Sequence, residues 1–203
     1  MGYVHSYYQV KSVPNGQWLL LTTQVANVFL LTQKRHIPGY LDPMVLCTSD
    51  GKYPLLRPSD LLVEGLYGQP AIEFNGEERP DISYETFHLS QNSSGCGFCK
   101  TTFLWTPSRP YDSMVKATLL IAHRYRPGCY NIGSDGTLEE CTNVQVWLSL
   151  NLGGKWPTPD SIAPQDELFR SLDLYLPGYF TNHLHLDVHY IAQTSFRVWH
   201  SER

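Results

Sequence analysis

Three groups of side chains in this sequence have types and spacings that could do chemistry. The first is His183, His185, Asp187 and His189, alternating with Leu184, Leu186 and Val188. On a strand of period two these four polar side chains share one face, and imidazoles with a carboxylate suit zinc or a similar divalent ion. Same-face neighbours on a strand lie about 6.5–7 Å apart, which is long for ligands sharing one ion. A polar sheet face paired with a neighbouring strand or another subunit is the plainer reading. The second group is the Cys-x-x-Cys of Cys96 and Cys99, with His88 upstream and Cys129 and Cys141 downstream. Zinc knuckles and redox pairs use this spacing, but a second Cys-x-x-Cys is missing, so buried thiols explain it as well.

The third group brackets a predicted helix. Lys100, Thr101, Arg109, Tyr111 and Asp112 precede it, and Ser134 and Asp135 follow the strand after it. Backbone N–H groups at a helix start, two basic side chains and a hydroxyl make a natural pocket for a phosphate or carboxylate. Capping plus a salt bridge is the structural alternative. Glu85 and Asp112 are the carboxylates placed to act as a general base if the site were hydrolytic. The sequence contains no phosphate loop, dinucleotide-binding glycine pattern or nucleophile elbow, and nothing in it calls for a cofactor.

The elements that must position these residues are readable from period and punctuation. Cys99 to Gly136 reads as strand, polar loop, helix and strand. Pro110 stands at the helix entry, Asp112 in the first turn, Met114, Val115, Leu119 and Ala122 on the buried stripe, and Pro127-Gly128 at the stop. Upstream, Gly2 to Val10 alternates as a strand. Gln17 to His36 carries Trp18, Leu21, Val25 and Val28 on one helical face and ends at Pro38-Gly39. Met44 to Thr48 is a candidate strand, and Pro58-Ser59-Asp60 a helix start or turn. Ala71–Asn75 and Ser83–Leu89 read as a hairpin opening a meander to Thr102. Asn143 to Leu152 alternates Val144, Val146, Leu148, Leu150 and Leu152 with polar residues and Trp147, which predicts a long half-buried strand. A helix over 161–176 and strands over 183–193 and 195–199 follow. The expected architecture is one α+β domain over 1–203, a mostly antiparallel sheet against two main helices, with 137–203 extending the same sheet.

Composition sets the bounds. With 203 residues, 42% hydrophobic and 17% charged, the chain can bury a core without staples. A net charge of −4 gives no general attraction to nucleic acid or anionic membranes, and the apolar runs are too short to span a bilayer. Five cysteines and the lack of a secretory-type leader point to reduced thiols in a cytoplasm. Thirteen Tyr and five Trp favour aromatic-walled pockets or interfaces. Edge strands near both ends make a homo-oligomer conceivable.

Taken in order, MGYVH at the start, FNG at 74–76, YETF at 84–87, FCKT at 98–101, RPYD at 109–112 and SDG at 134–136 resemble a family of uncharacterised proteins of tailed bacteriophages and prophages. The resemblance covers about the first two-thirds of the chain. Phe103 to Pro107 stands as an insertion relative to its pattern, and the histidine-rich end lies outside it. It implies a phage origin and action in the host bacterial cytoplasm, and it carries no activity with it. The recurrent polar positions map to Tyr3, His5, Asn75, Glu85, Thr86, Lys100, Thr101, Tyr111, Asp112, Ser134 and Asp135. The expectation is an accessory protein that binds a small anionic, nucleotide-like ligand and blunts antiphage defence. Lys100, Thr101 and Arg109 would hold phosphates, and Tyr111 or Trp105 would stack a base. A hydrolase acting on such a ligand, by carboxylate or metal, and an inhibitor docking on a host defence protein are the alternatives.

Overall fold

In the computed structural model, residues 4–35, 37, 44–65, 68–78, 85–92, 96–100, 111–134 and 138–159 are described, with Cys96, Phe98 and Lys100 described by their backbones alone. They all belong to one compact unit, residues 1–163. The expected helix over 161–176, both C-terminal strands and the His183–His189 cluster lie outside the described residues.

The fold is α+β, with three helices and antiparallel sheets. Among the described residues, seven strands form two sheets. β1 (Val4–Gln9) is the centre of the first, between β6 (Cys96–Lys100) and β7 (Tyr130–Ser134). The register sets His5 opposite Cys99 on one side and Ser134 on the other. The second sheet gathers on β4 (Pro70–Gly76), which pairs with β2 (Leu46–Cys47), β3 (Leu62–Glu64) and β5 (Phe87–Ser90). The β4–β5 hairpin is as expected, but the meander is not. β6 leaves it and pairs with β1, so the chain changes sheets between Ser90 and Cys96.

The sheets are stitched by polar side chains from β1 and β7. Tyr7 Oη donates to the carbonyl of His88, Gln9 Nε2 to that of Gln91 at 3.0 Å, and Tyr130 Oη to that of Ser90 at 3.0 Å. Each bond satisfies a group that burial would otherwise leave unpaired. Asn75 and Thr86 donate to the carbonyl of Ser49 at 3.2 and 2.7 Å, so their visible work is to hold a turn beside the second sheet.

α1 (Asn15–Thr32) buries Trp18, Leu21, Val25, Val28 and Phe29, the face that its period predicts. A short 3-10 turn at Pro58–Leu61 occupies the predicted helix start, with Asp60 accepting from the N–H groups of Leu56 and Arg57. α2 (Asp112–Tyr125) differs from its prediction in kind. Every side chain from Asp112 to Ala122 is buried, Lys116 and Thr118 included. It is the core element, in contact with α1, with β7 and with the helix at Leu138–Leu152, rather than a helix with one wet face.

The segment 143–152 is a correction. It belongs to a helix, α3 (Leu138–Leu152), not a strand, so that part of 137–203 does not extend a sheet. Cys141, Val144, Trp147 and Leu148 are buried at helical spacing, while Val146 and Leu150 of the apparent alternation are exposed. Fifteen residues without Gly or Pro, four of them Leu, with Glu139 and Glu140 in the first turn, favour the helix. No described helix is long and apolar enough to cross a membrane.

Candidate functional site

Four chain segments far apart in sequence converge at the end of the first sheet. His5 enters from β1, Cys99 from β6, Ser134 from β7, and Tyr111 and Asp112 from the start of α2. Antiparallel pairing places directly opposed residues on the same face, so the register alone sets Cys99 and Ser134 beside His5. That face is the buried one: His5 is 2% exposed and Asp112 fully buried, while Ser134 is half-buried.

His5 is the hub. Its Nε2 lies 2.7 Å from Asp112 Oδ1, and its Nδ1 lies 2.9 Å from Ser134 Oγ. The second carboxylate oxygen of Asp112 accepts from Lys116 Nζ at 2.8 Å, one helical turn on, and Lys116 also stands 3.6 Å from Glu140 of α3. Burial alone would raise the Asp112 carboxyl, but the charges and hydrogen bonds of His5 and Lys116 outweigh it and hold it well below the usual carboxylate range. An ionised carboxylate only accepts, so Nε2 carries hydrogen. In the neutral ring Nδ1 is then the acceptor, and the Ser134 hydroxyl donates to it.

Glu85 reaches the cluster through its backbone. Its carbonyl accepts from Cys99 Sγ and from Tyr111 Oη, each at 3.3 Å. Burial, with Asp112 and Glu85 adding, pushes the Cys99 thiol far above its ordinary range, so Cys99 is an inert thiol and not an activated nucleophile. Cys47, Cys129 and Cys141 are also buried thiols, and among the described residues no three His, Cys, Asp or Glu side chains are grouped to hold a metal.

The structure brings together Tyr111, Asp112 and Ser134 of the sequence-predicted site, with the backbones of Glu85 and Lys100. It changes the parts that some of them can play. Tyr111 is 1% exposed, with its hydroxyl bonded to Glu85, so its ring is a core ring and not a stacking platform for a base. Asp112 is too weak a base, so held, to abstract a proton itself. Lys100 ends β6 opposite Val4, one residue from the hub's register position. Thr101, Trp105, Arg109 and Asp135 lie outside the described residues.

Lys116 and Glu140 were not singled out by sequence. Lys116 sits among apolar positions of α2, four residues after Asp112, and that spacing was the available signal. Glu140 carried none while its segment read as the approach to a strand. A second relay lies on the other sheet, where His88 Nδ1 stands 3.0 Å from Glu73 Oε2 and Nε2 stands 3.1 Å from Ser90 Oγ. Ser90 is buried there, so this relay pins adjacent strands. No protein-family model, curated protein or solved structure matches the chain.

Proposed function

We propose that the His5–Asp112–Ser134 cluster is the floor of a binding site for a small anionic, nucleotide-like ligand, in an accessory protein of phage origin acting in the bacterial host. One observation carries the reading: His5, Cys99, Asp112 and Ser134, from four separated parts of the chain, meet at one end of one sheet. A packed core needs apolar residues there; these are a histidine, a carboxylate, a hydroxyl and a strand end bearing a lysine. The Asp112 charge is paired with Lys116 inside the core. Lys116 is itself committed to two carboxylates, so Lys100 and Arg109 are the cations that would meet the ligand.

Native mass spectrometry and calorimetry with ATP, cyclic AMP and cyclic di-AMP as probes test this. Binding of at least one is expected, weakened about 10- to 100-fold in Lys100→Ala and in Arg109→Ala, the loss of one charge-assisted bond each. Unchanged affinity in both folded variants, or no binding by the parent, refutes the assignment. Sequestering a host immune signal is the biological role that this reading supports.

A further inference from the structure

We propose that Ser134 is a nucleophile, that His5 is the base that activates it and that Asp112 is the residue that positions His5, so that the site cleaves a phosphodiester in its ligand. The proposal rests on reading the cluster as a ligand site, and adds turnover to it. The geometry is that of an activated nucleophile: hydroxyl to ring nitrogen at 2.9 Å, the other ring nitrogen to carboxylate at 2.7 Å, from three elements and three distant parts of the chain. Each member has the burial its part requires. The positioning carboxylate is fully buried, the ring 2% exposed and the attacking hydroxyl half-buried and within reach.

Proton positions follow from the partners. Asp112, kept ionised by Lys116, fixes the hydrogen on Nε2 and leaves the Nδ1 lone pair facing Ser134. As Ser134 Oγ bonds to phosphorus, its proton passes to Nδ1, and the imidazolium that forms lies against the Asp112 carboxylate. The bond from phosphorus to the leaving alcohol breaks, and His5 returns the proton to that oxygen. Water then attacks the Ser134 phosphoester with His5 again as base, which releases a phosphomonoester and restores the serine. No oxidant, reductant or further reactant enters. Placement at a strand end suits the role. Ser134 is the last residue of β7, four residues before α3 begins, so its backbone is anchored on one side by the β1 ladder.

The test uses the full chain, a fluorophosphonate probe and bis(p-nitrophenyl) phosphate. A single adduct mapping to Ser134 is expected, together with release of nitrophenol. Ser134→Ala should abolish both while keeping the folded circular dichroism spectrum, with a modest fall in the thermal midpoint from the lost bond to buried His5. His5→Gln should slow labelling on the order of 100-fold. Asp112→Asn acts through His5, so it should alter the pH dependence of the labelling rate as well as its size. Should either variant fail to fold, Ser134→Ala together with the mapped adduct still decides the matter. No adduct, an adduct elsewhere, or equal labelling of Ser134→Ala overturns the proposal. If the parent binds a nucleotide probe but is not labelled, the relay fails and the binding reading stands. If Ser134 is labelled but no nucleotide binds, the anionic-ligand reading fails and the nucleophile stands.

Discussion

Replacing Asp112 by Asn should cost far more stability than an ordinary polar substitution in a helix's first turn. The side chain is fully buried, with Lys116 at 2.8 Å and His5 at 2.7 Å. Taking away its charge breaks the 2.8 Å pair of the Lys116 ammonium, itself 5% exposed, and the Glu140 carboxylate stands farther off at 3.6 Å. Breaking a buried pair by removing one member costs about 3–5 kcal/mol. For a unit of this size that is a fall in Tm of about 6–20 °C. Scanning calorimetry at pH 7 measures it, and Lys116→Met supplies the other half of a double-mutant cycle. The double variant should be more stable than the sum of the single losses predicts, by about 1–3 kcal/mol. The pH dependence has a definite sign. The folded carboxyl titrates below its unfolded value of about 3.9, so its contribution is fully present above that pH and is lost as pH falls through the folded value. The parent should therefore lose stability on acidification from about pH 5 downward more steeply than Asp112→Asn does. A Tm drop under about 2 °C, or parallel acid profiles, would show that Asp112 is not held in a buried charge network.

Two further outcomes test the packing around the cluster. An added Cβ at Gly97 would stand 2.5 Å from the Tyr7 ring, which its bond to His88 and the edge of Tyr130 hold in place. Gly97→Ala should cost about 1–3 kcal/mol in urea denaturation, and a neutral effect would mean that β6 is not in this register. Burial raises the Cys141 thiol from 9.0 to about 11, so at pH 8 its thiolate population falls about 100-fold. Iodoacetamide with peptide mapping should find Cys99 and Cys141 protected in the folded protein and reactive in urea, whereas rapid native alkylation of Cys99 would refute its burial.

Much of the scaffold was legible because local signals and tertiary environment agree. Trp18, Leu21, Val25 and Val28 repeat at the helical period and are buried at it. Pro127-Gly128 follows α2, with Gly128 at φ +75°, a left-handed conformation that glycine accepts freely. α3 was misread because its Val and Leu positions satisfy period two as well as the helical period. Trp147, buried where strict alternation calls for a polar residue, belonged to the helical set. Candidate chemistry was legible only as a collection of polar motifs. Tyr111 gave no sign that its ring would face the core, since a tyrosine before a helix serves equally well as a lid or as packing.

The sequence by itself determined that helices occupy the α1 and α2 stretches, which face of α1 is apolar, and that His5, Asp112 and Ser134 are polar residues in short motifs. Those properties depend on neighbours within a few residues. Their meeting does not. His5 and Ser134 are 129 positions apart, and His5 and Asp112 are 107 apart. Only the pairing of β1 with both β6 and β7, and the burial of α2 on every side, bring them within hydrogen-bond reach. Strand order and helix burial are set by the total packing of the core, in which the Asp112–Lys116 pair is tolerated because each charge finds the other. That balance is a property of the folded chain, and no local stretch of the sequence records it.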